Sequence, residues 1–173
     1  MKKILPLACA LALSLGLTAA RAATLAQDTQ ELRFNGIIDP TTLNGDEFGL
    51  HLSYGYFFAD NIQAGGRIGL LDNDLVTTMD LGAYVEYNVD TGSEIMPFGE
   101  LFAGLANVDI EGSGGDNTAG LMELRAGAKL FLAEHVALAA AGVFAYATEN
   151  IYPDSNKLRD NDVFLEFSLR CYF

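Results

Sequence analysis

Apolar and polar residues alternate along most of the chain beyond residue 29. The last stretch is the clearest. Val163, Leu165, Phe167, Leu169, Cys171 and Phe173 occupy every odd position, and Glu166, Ser168 and Arg170 fall on even ones. A strand sends successive side chains to opposite faces, so this period of two predicts a strand with one apolar and one charged face. The same period predicts strands near 30–38, 48–58, 62–72, 79–89, 96–109, 120–132, 136–148 and 162–173. In the second, Phe48, Leu50, Leu52, Tyr54, Tyr56 and Phe58 oppose Gly49, His51, Ser53 and Gly55, with Phe57 out of pattern. In the third, Ile62, Ala64, Ile68 and Leu70 oppose Gln63 and Arg67. In the fourth, Leu81, Ala83, Val85, Tyr87 and Val89 oppose Tyr84, Glu86 and Asn88. In the sixth, Met122, Leu124, Ala126, Ala128 and Leu130 oppose Glu123, Arg125 and Lys129. The seventh sets Val136, Leu138, Phe144 and Tyr146 against a face of Ala and Val. The fifth is ambiguous, because the face that carries Glu100 also carries Phe98 and Phe102.

The connectors alternate between short and long. Phe58-Ala59-Asp60-Asn61-Ile62 and Leu132-Ala133-Glu134-His135-Val136 are tight turns of one pattern, apolar–Ala–acid–polar–apolar, and Asp90-Thr91-Gly92-Ser93 is a third. The connectors at 39–47, 73–78, 110–119 and 149–161 read as longer loops, and Gly112-Ser113-Gly114-Gly115-Asp116-Asn117 is a flexible one. Interleaved short turns and long loops are what an up-and-down eight-stranded antiparallel barrel requires.

The first 22 residues read as a secretory signal. Lys2 and Lys3 precede an apolar run from Ile4 to Leu17, and Ala20-Arg21-Ala22 is a small-x-small cleavage site. Cys9 lies inside the apolar run, which argues against a lipoprotein. The expected domain is 23–173, with Cys171 as its one cysteine, so no intrachain disulfide forms. No apolar stretch long enough for a spanning helix remains, and a membrane protein without one must be a closed barrel. Loss of Lys2, Lys3 and Arg21 takes the formal charge from −13 to −16. Such a chain has no basic footprint for nucleic acid.

Alternation alone leaves open which face is inside, since a soluble lipocalin-like barrel turns its apolar face inward. Three features predict the inverse. Tyr54, Tyr56, Tyr87, Tyr146, Phe58 and Phe173 gather toward strand ends on the apolar face, as interfacial girdles do. Gly and Ala are frequent on the polar face, as a narrow interior demands. The charges on that face balance: Arg33, Arg67, Arg125, Lys129 and Arg170 against Glu31, Glu86, Glu100, Glu123 and Glu166. Eight strands enclose a space that side chains fill. Charges there must pair, so an interlocked, plugged interior is expected rather than an aqueous channel.

On these features the chain resembles the small eight-stranded outer-membrane barrels, the class of the OmpA transmembrane domain and OmpX. The resemblance implies a location in the bacterial outer membrane, with outer-membrane lipids as solvent and the short turns on the periplasmic side. It also implies that Phe167, Leu169, Tyr172 and Phe173 form a terminal signal read by the barrel-assembly machinery. Unlike in OmpA, no appended peptidoglycan-binding domain is expected after the barrel.

Candidate chemistry is sparse. His51-Leu52-Ser53 places a base and a hydroxyl on one strand face, similar to the pair of the outer-membrane lipid A deacylases, but no acidic partner is evident by spacing. Asp72-Asn73-Asp74, and Asp154 with Asp160-Asn161-Asp162, offer hard oxygens to divalent ions, without EF-hand spacing. No phosphate-cradling loop, thiol pair or zinc set is present. The expectation is a non-enzymatic, cofactor-free barrel with a structural or surface-interaction role, presenting acidic loops to an extracellular ligand. The alternatives are a narrow diffusion channel of the OmpW kind and a lipid A-modifying hydrolase.

Overall fold

The computed structural model describes residues 25–38, 48–72, 76–110, 117–154 and 157–173. Residues 1–24, which include the expected signal segment, the first long loop (39–47) and the glycine-rich loop at 111–116 lie outside the described residues. Eight strands close into an antiparallel barrel: β1 (Gln30–Ile38), β2 (Phe48–Ala59), β3 (Ile62–Asp72), β4 (Val76–Asn88), β5 (Ile95–Ile110), β6 (Asn117–Ala133), β7 (Val136–Ala147) and β10 (Asn161–Tyr172). Each pairs with its sequence neighbours, and β1 closes against β10 with Arg33 opposite Arg170 and Asn35 opposite Ser168. Between β7 and β10 a separate hairpin forms from β8 (Tyr152–Asp154) and β9 (Lys157–Arg159).

Three predicted loops are therefore shorter than the sequence suggests. Residues 76–78 belong to β4, and 117–119 belong to β6. β5 and β6 run to 16 and 17 residues, paired out to Val108 opposite Asn117. This outer part of the wall keeps the strand period: Ala106, Val108, Ala119 and Leu121 are buried, whereas Asn107, Asp109 and Thr118 are exposed. The segment 149–161, read as loop, contains the β8–β9 hairpin.

The two turns of matching pattern share a geometry. In each, the register shifts by one residue just before the turn, between Phe57 and Ala59 and between Phe131 and Ala133. Phe57 keeps the alternation of its strand, inward with His51, Ser53 and Gly55, and the bulge follows it. Phe57 and Phe131 both turn inward at this end of the barrel. Asn61 supplies the left-handed residue of the first turn (φ 63°), a conformation that asparagine tolerates better than most residues.

The two faces of the wall are chemically opposite. Leu81, Leu105, Leu124 and Val163 are each about three-fifths exposed, and Phe34, Leu70, Phe144 and Leu165 also point outward. Arg33, Lys129, Glu86 and Arg170 are fully buried. No soluble protein leaves a belt of this extent to water; the barrel has its grease outside. The exposed aromatics crowd one end: Tyr54, Tyr56, Phe58, Tyr87 and Phe173 ring the end with the turns and termini, and Phe144 and Tyr146 stand near the other. The Tyr54 hydroxyl donates to Gln30 Oε1 (2.7 Å), and that of Tyr56 donates to Asp28.

Candidate functional site

Among the described residues, chemistry gathers in the interior. The inward faces of six strands deliver charged groups to the axis, and they interlock. Around Glu86 on β4, one carboxylate collects donors from four other strands. Arg170 Nη1 (2.6 Å) and Arg33 Nη2 (3.0 Å) donate to Oε2; Lys129 Nζ (2.7 Å) and Gln63 Nε2 (2.7 Å) donate to Oε1. Glu31 accepts from Arg33 Nε (2.9 Å) and lies within 3.5 Å of Arg170 and Lys129. Charge-assisted bonds of this kind are the strong class.

Glu100 links this group to a second one. It accepts from Arg33 Nη1 (2.5 Å) with one oxygen and from Arg125 Nη1 (2.7 Å) with the other. Arg125 also donates to Glu123. Glu123 takes a two-pronged contact from Arg67 (2.6 and 2.8 Å), and Arg67 Nε reaches Asp80 Oδ1 (3.0 Å). His51 Nε2 stands 3.1 Å from Asp80 Oδ2, and Glu166 lies 3.5 Å from Arg125 Nε. The chain of ion pairs is thus continuous from Glu31 to His51. Arg33, Arg67, Glu86, Glu100, Glu123, Arg125, Lys129, Glu166 and Arg170 all lie in it, each at most 5% exposed.

Aromatic rings pack between the charges. Arg67 stacks over Phe102 (3.5 Å to the centroid), Arg170 over Phe98 (4.4 Å) and Arg33 over Tyr84 (4.7 Å). A guanidinium without water around it gains from a ring face, which resolves the fifth strand: Phe98, Glu100 and Phe102 all point inward. Gly82 and Gly104 flank the Phe102 ring. A Cβ on either would come within 2.6 Å of it, so the ring fits because these positions are bare.

Apolar side chains gather inside the barrel toward each end. At the turn end Leu25, Phe57, Met96, Phe131, Ala137 and Tyr172 form one cluster. Leu25 is brought there by the segment ahead of β1, whose backbone is held by Asn61 N to Leu25 O (2.8 Å) and Asp28 N to Phe57 O (2.8 Å). Tyr172 stacks on Phe131 (5.5 Å between centroids). Of the four residues expected to form a terminal signal it is the one turned inward; Phe167 and Phe173 face out, and Leu169 is half-buried. At the other end Phe102, Ala106, Val108, Leu121, Ala147 and Ile151 form a second cluster, with Tyr152 of the hairpin packed on it.

Several members were invisible to the reading of the sequence. Asp80 shares the even positions of β4 with Tyr84, Glu86 and Asn88, and that parity was the available signal. Leu25 carries no periodic signal at all. The His51–Ser53 pair does not assemble into a nucleophile and base. The imidazole faces Asp80 and Glu166, and the Ser53 hydroxyl has no hydrogen-bond partner. Asn73 and Asp74 lie outside the described residues. Asp162 is 3.5 Å from Arg159, and among the described residues no group of three acids, histidines or cysteines could hold a metal.

No family profile matches the sequence, and no curated protein does. Solved structures match over nearly their full length. The chain is similar to the N-terminal β-barrel domain of Pseudomonas aeruginosa OprF (TM-score 0.64, 19% identity, covering 85% of this chain and 98% of that one). It is also similar to the Neisserial surface protein A (0.59, 17%, 84% and 95%) and to the outer membrane protein OprG of Pseudomonas aeruginosa (0.53, 15%, 89% and 99%). At these identities the likeness is one of fold. The chain is an eight-stranded barrel of the outer-membrane type.

Proposed function

We propose that this is an integral protein of the bacterial outer membrane whose barrel is a closed anchor rather than a pore. The observation that carries this reading is the continuous Glu31–His51 network, flanked by an apolar cluster toward each end of the barrel. Ions crossing such an interior would have to break several buried charge-assisted bonds, each costly to leave unmade. The outer rim is then the working surface. β5 and β6 raise one side of it, Tyr152 of the β8–β9 hairpin packs on the apolar cluster beneath it, and Asp109, Glu149 and Asp160 give it negative charge. A surface-interaction role with an extracellular partner follows, and among the described residues no nucleophile–base pair supports an enzymatic one. The outward row Phe167, Leu169 and Phe173 is the part of the last strand that an assembly factor would meet first.

Planar-bilayer recordings of the purified protein test the closed interior. The expected trace has no steady current; a large conductance open most of the time would instead establish the narrow-channel reading. Orientation is tested in a Cys171→Ser background on intact cells. Thr118→Cys should react with a membrane-impermeant maleimide and Thr91→Cys should not. The reverse labelling would refute the assignment of the rim to the outside.

A further inference from the structure

Charged atoms along the axis are mostly paired, but one patch of the inner wall gathers polar atoms that are not. Asn35 on β1 is 1% exposed, and neither its Oδ1 nor its Nδ2 meets a hydrogen-bond partner. Ser53 Oγ, His51 Nδ1 and Glu166 Oε2 are in the same condition, and their residues are at most 4% exposed. These residues adjoin one another in the sheet. Asn35 sits directly opposite His51 on β2 and opposite Ser168 on β10. Ser53 is two positions along the same face from His51, and Glu166 two positions from Ser168. Side chains so placed on neighbouring strands approach within contact range. His51 Nδ1 and Glu166 Oε2 are 3.7 Å apart, too far for a hydrogen bond between them.

A buried amide with both ends unmet is rare in folded proteins and expensive. The chemistry of the patch selects its guest. A bare cation would satisfy Asn35 Oδ1 and Glu166 but leave the Asn35 amide protons unmet. An anion would do the reverse. Water donates and accepts, and buried water characteristically serves about three otherwise unsatisfied polar groups. We propose that Asn35, Ser53, His51 and Glu166 form an internal water site. The site lies against the β1–β10 junction, where the barrel closes. Its water joins the first strand and the last to the His51–Asp80 arm of the ion network, so the closing seam is tied from inside as well as by backbone hydrogen bonds. The site presupposes an interior shut off from bulk solvent, which the conductance recordings test separately.

The experiment uses the chain refolded into lipid nanodiscs. Magnetisation transfer from water to the Asn35 side-chain amide protons is expected at a fixed, long-lived position, and its absence overturns the site. Urea unfolding in lipid vesicles gives an independent sign. With water bridging the patch, Asn35→Leu strands the remaining partners and lowers the folded-to-unfolded ratio by about tenfold. Ser53→Ala lowers it by less. In a dry patch each substitution deletes an unmet polar group and leaves the ratio unchanged or raised, which also overturns the proposal. Ser53→Ala supplies the answer if Asn35→Leu does not fold.

Discussion

β6 and β7 are neighbours in the wall and follow the same period of two, yet their inner faces have nothing in common. β6 sends in Glu123, Arg125 and Lys129; β7 sends in Ala137, Ala139, Ala141, Val143, Ala145 and Ala147. Register explains the pairing of opposites. Glu123 lies opposite Ala145, Arg125 opposite Val143 and Lys129 opposite Ala139. A barrel of eight strands has a fixed, narrow cross-section, so a long charged side chain from one strand needs a short one beside it. The alanine face of β7 is the space into which the guanidinium and ammonium groups of β6 extend. Their outer faces show the reverse: Leu124 is 58% exposed and Phe144 51%, and nothing there limits size.

This contrast can be broken at four points, measured by urea unfolding in lipid vesicles. The largest effect belongs to Arg125→Met, which strips Glu100 and Glu123 of a shared partner and should cost about 3–5 kcal/mol. Adding Glu100→Gln and Glu123→Gln should recover a substantial part of it; no recovery would mean that shape rather than charge holds the centre. Next is Leu124→Arg on the outer face of β6, close to the midpoint of the strand. A cation facing hydrocarbon there should cost about 2–4 kcal/mol, and a negligible loss would contradict burial of that belt in lipid. Ala139→Leu forces extra volume between Phe98 and Ala141 and should cost about 1–3 kcal/mol. Ala140→Leu, one residue along on the lipid side, should change stability by less than about 0.5 kcal/mol. Equal costs for these last two would show that the two faces of β7 are not distinct.

Much of the wall is legible without a structure because a strand has only two faces. Leu124 beside Arg125, or Phe167 beside Glu166, declares its side by parity once any one residue of the strand is placed. Reading fails where apolar residues are too few to set that period or where parity conflicts with residue type. Phe57 and Phe131 share the inward parity of their polar neighbours although they are aromatic, because they fill the turn end of the barrel with Leu25, Met96 and Tyr172. Phe98 and Phe102 look like lipid-facing residues; they are inside because Arg170 and Arg67 stack on them and because Gly82 and Gly104 leave room. The outer ends of β4 and β6 read as loop, since Val76-Thr77-Thr78 and Asn117-Thr118-Ala119 carry too few apolar residues to set a period of two.

By itself the sequence determined how many strands close the barrel, which residues alternate on each, and that acids and bases share a face. These are local properties, carried by neighbours one and two residues apart. Only the closed barrel decided who meets whom. Glu86 on β4 gathers Arg33, Lys129 and Arg170 from β1, β6 and β10, strands far from it in the chain and brought into reach across the axis. Closure fixes both the width of that axis and the stagger of the strands around it. Partners across it are therefore chosen by the geometry of the whole ring, which no single strand encodes.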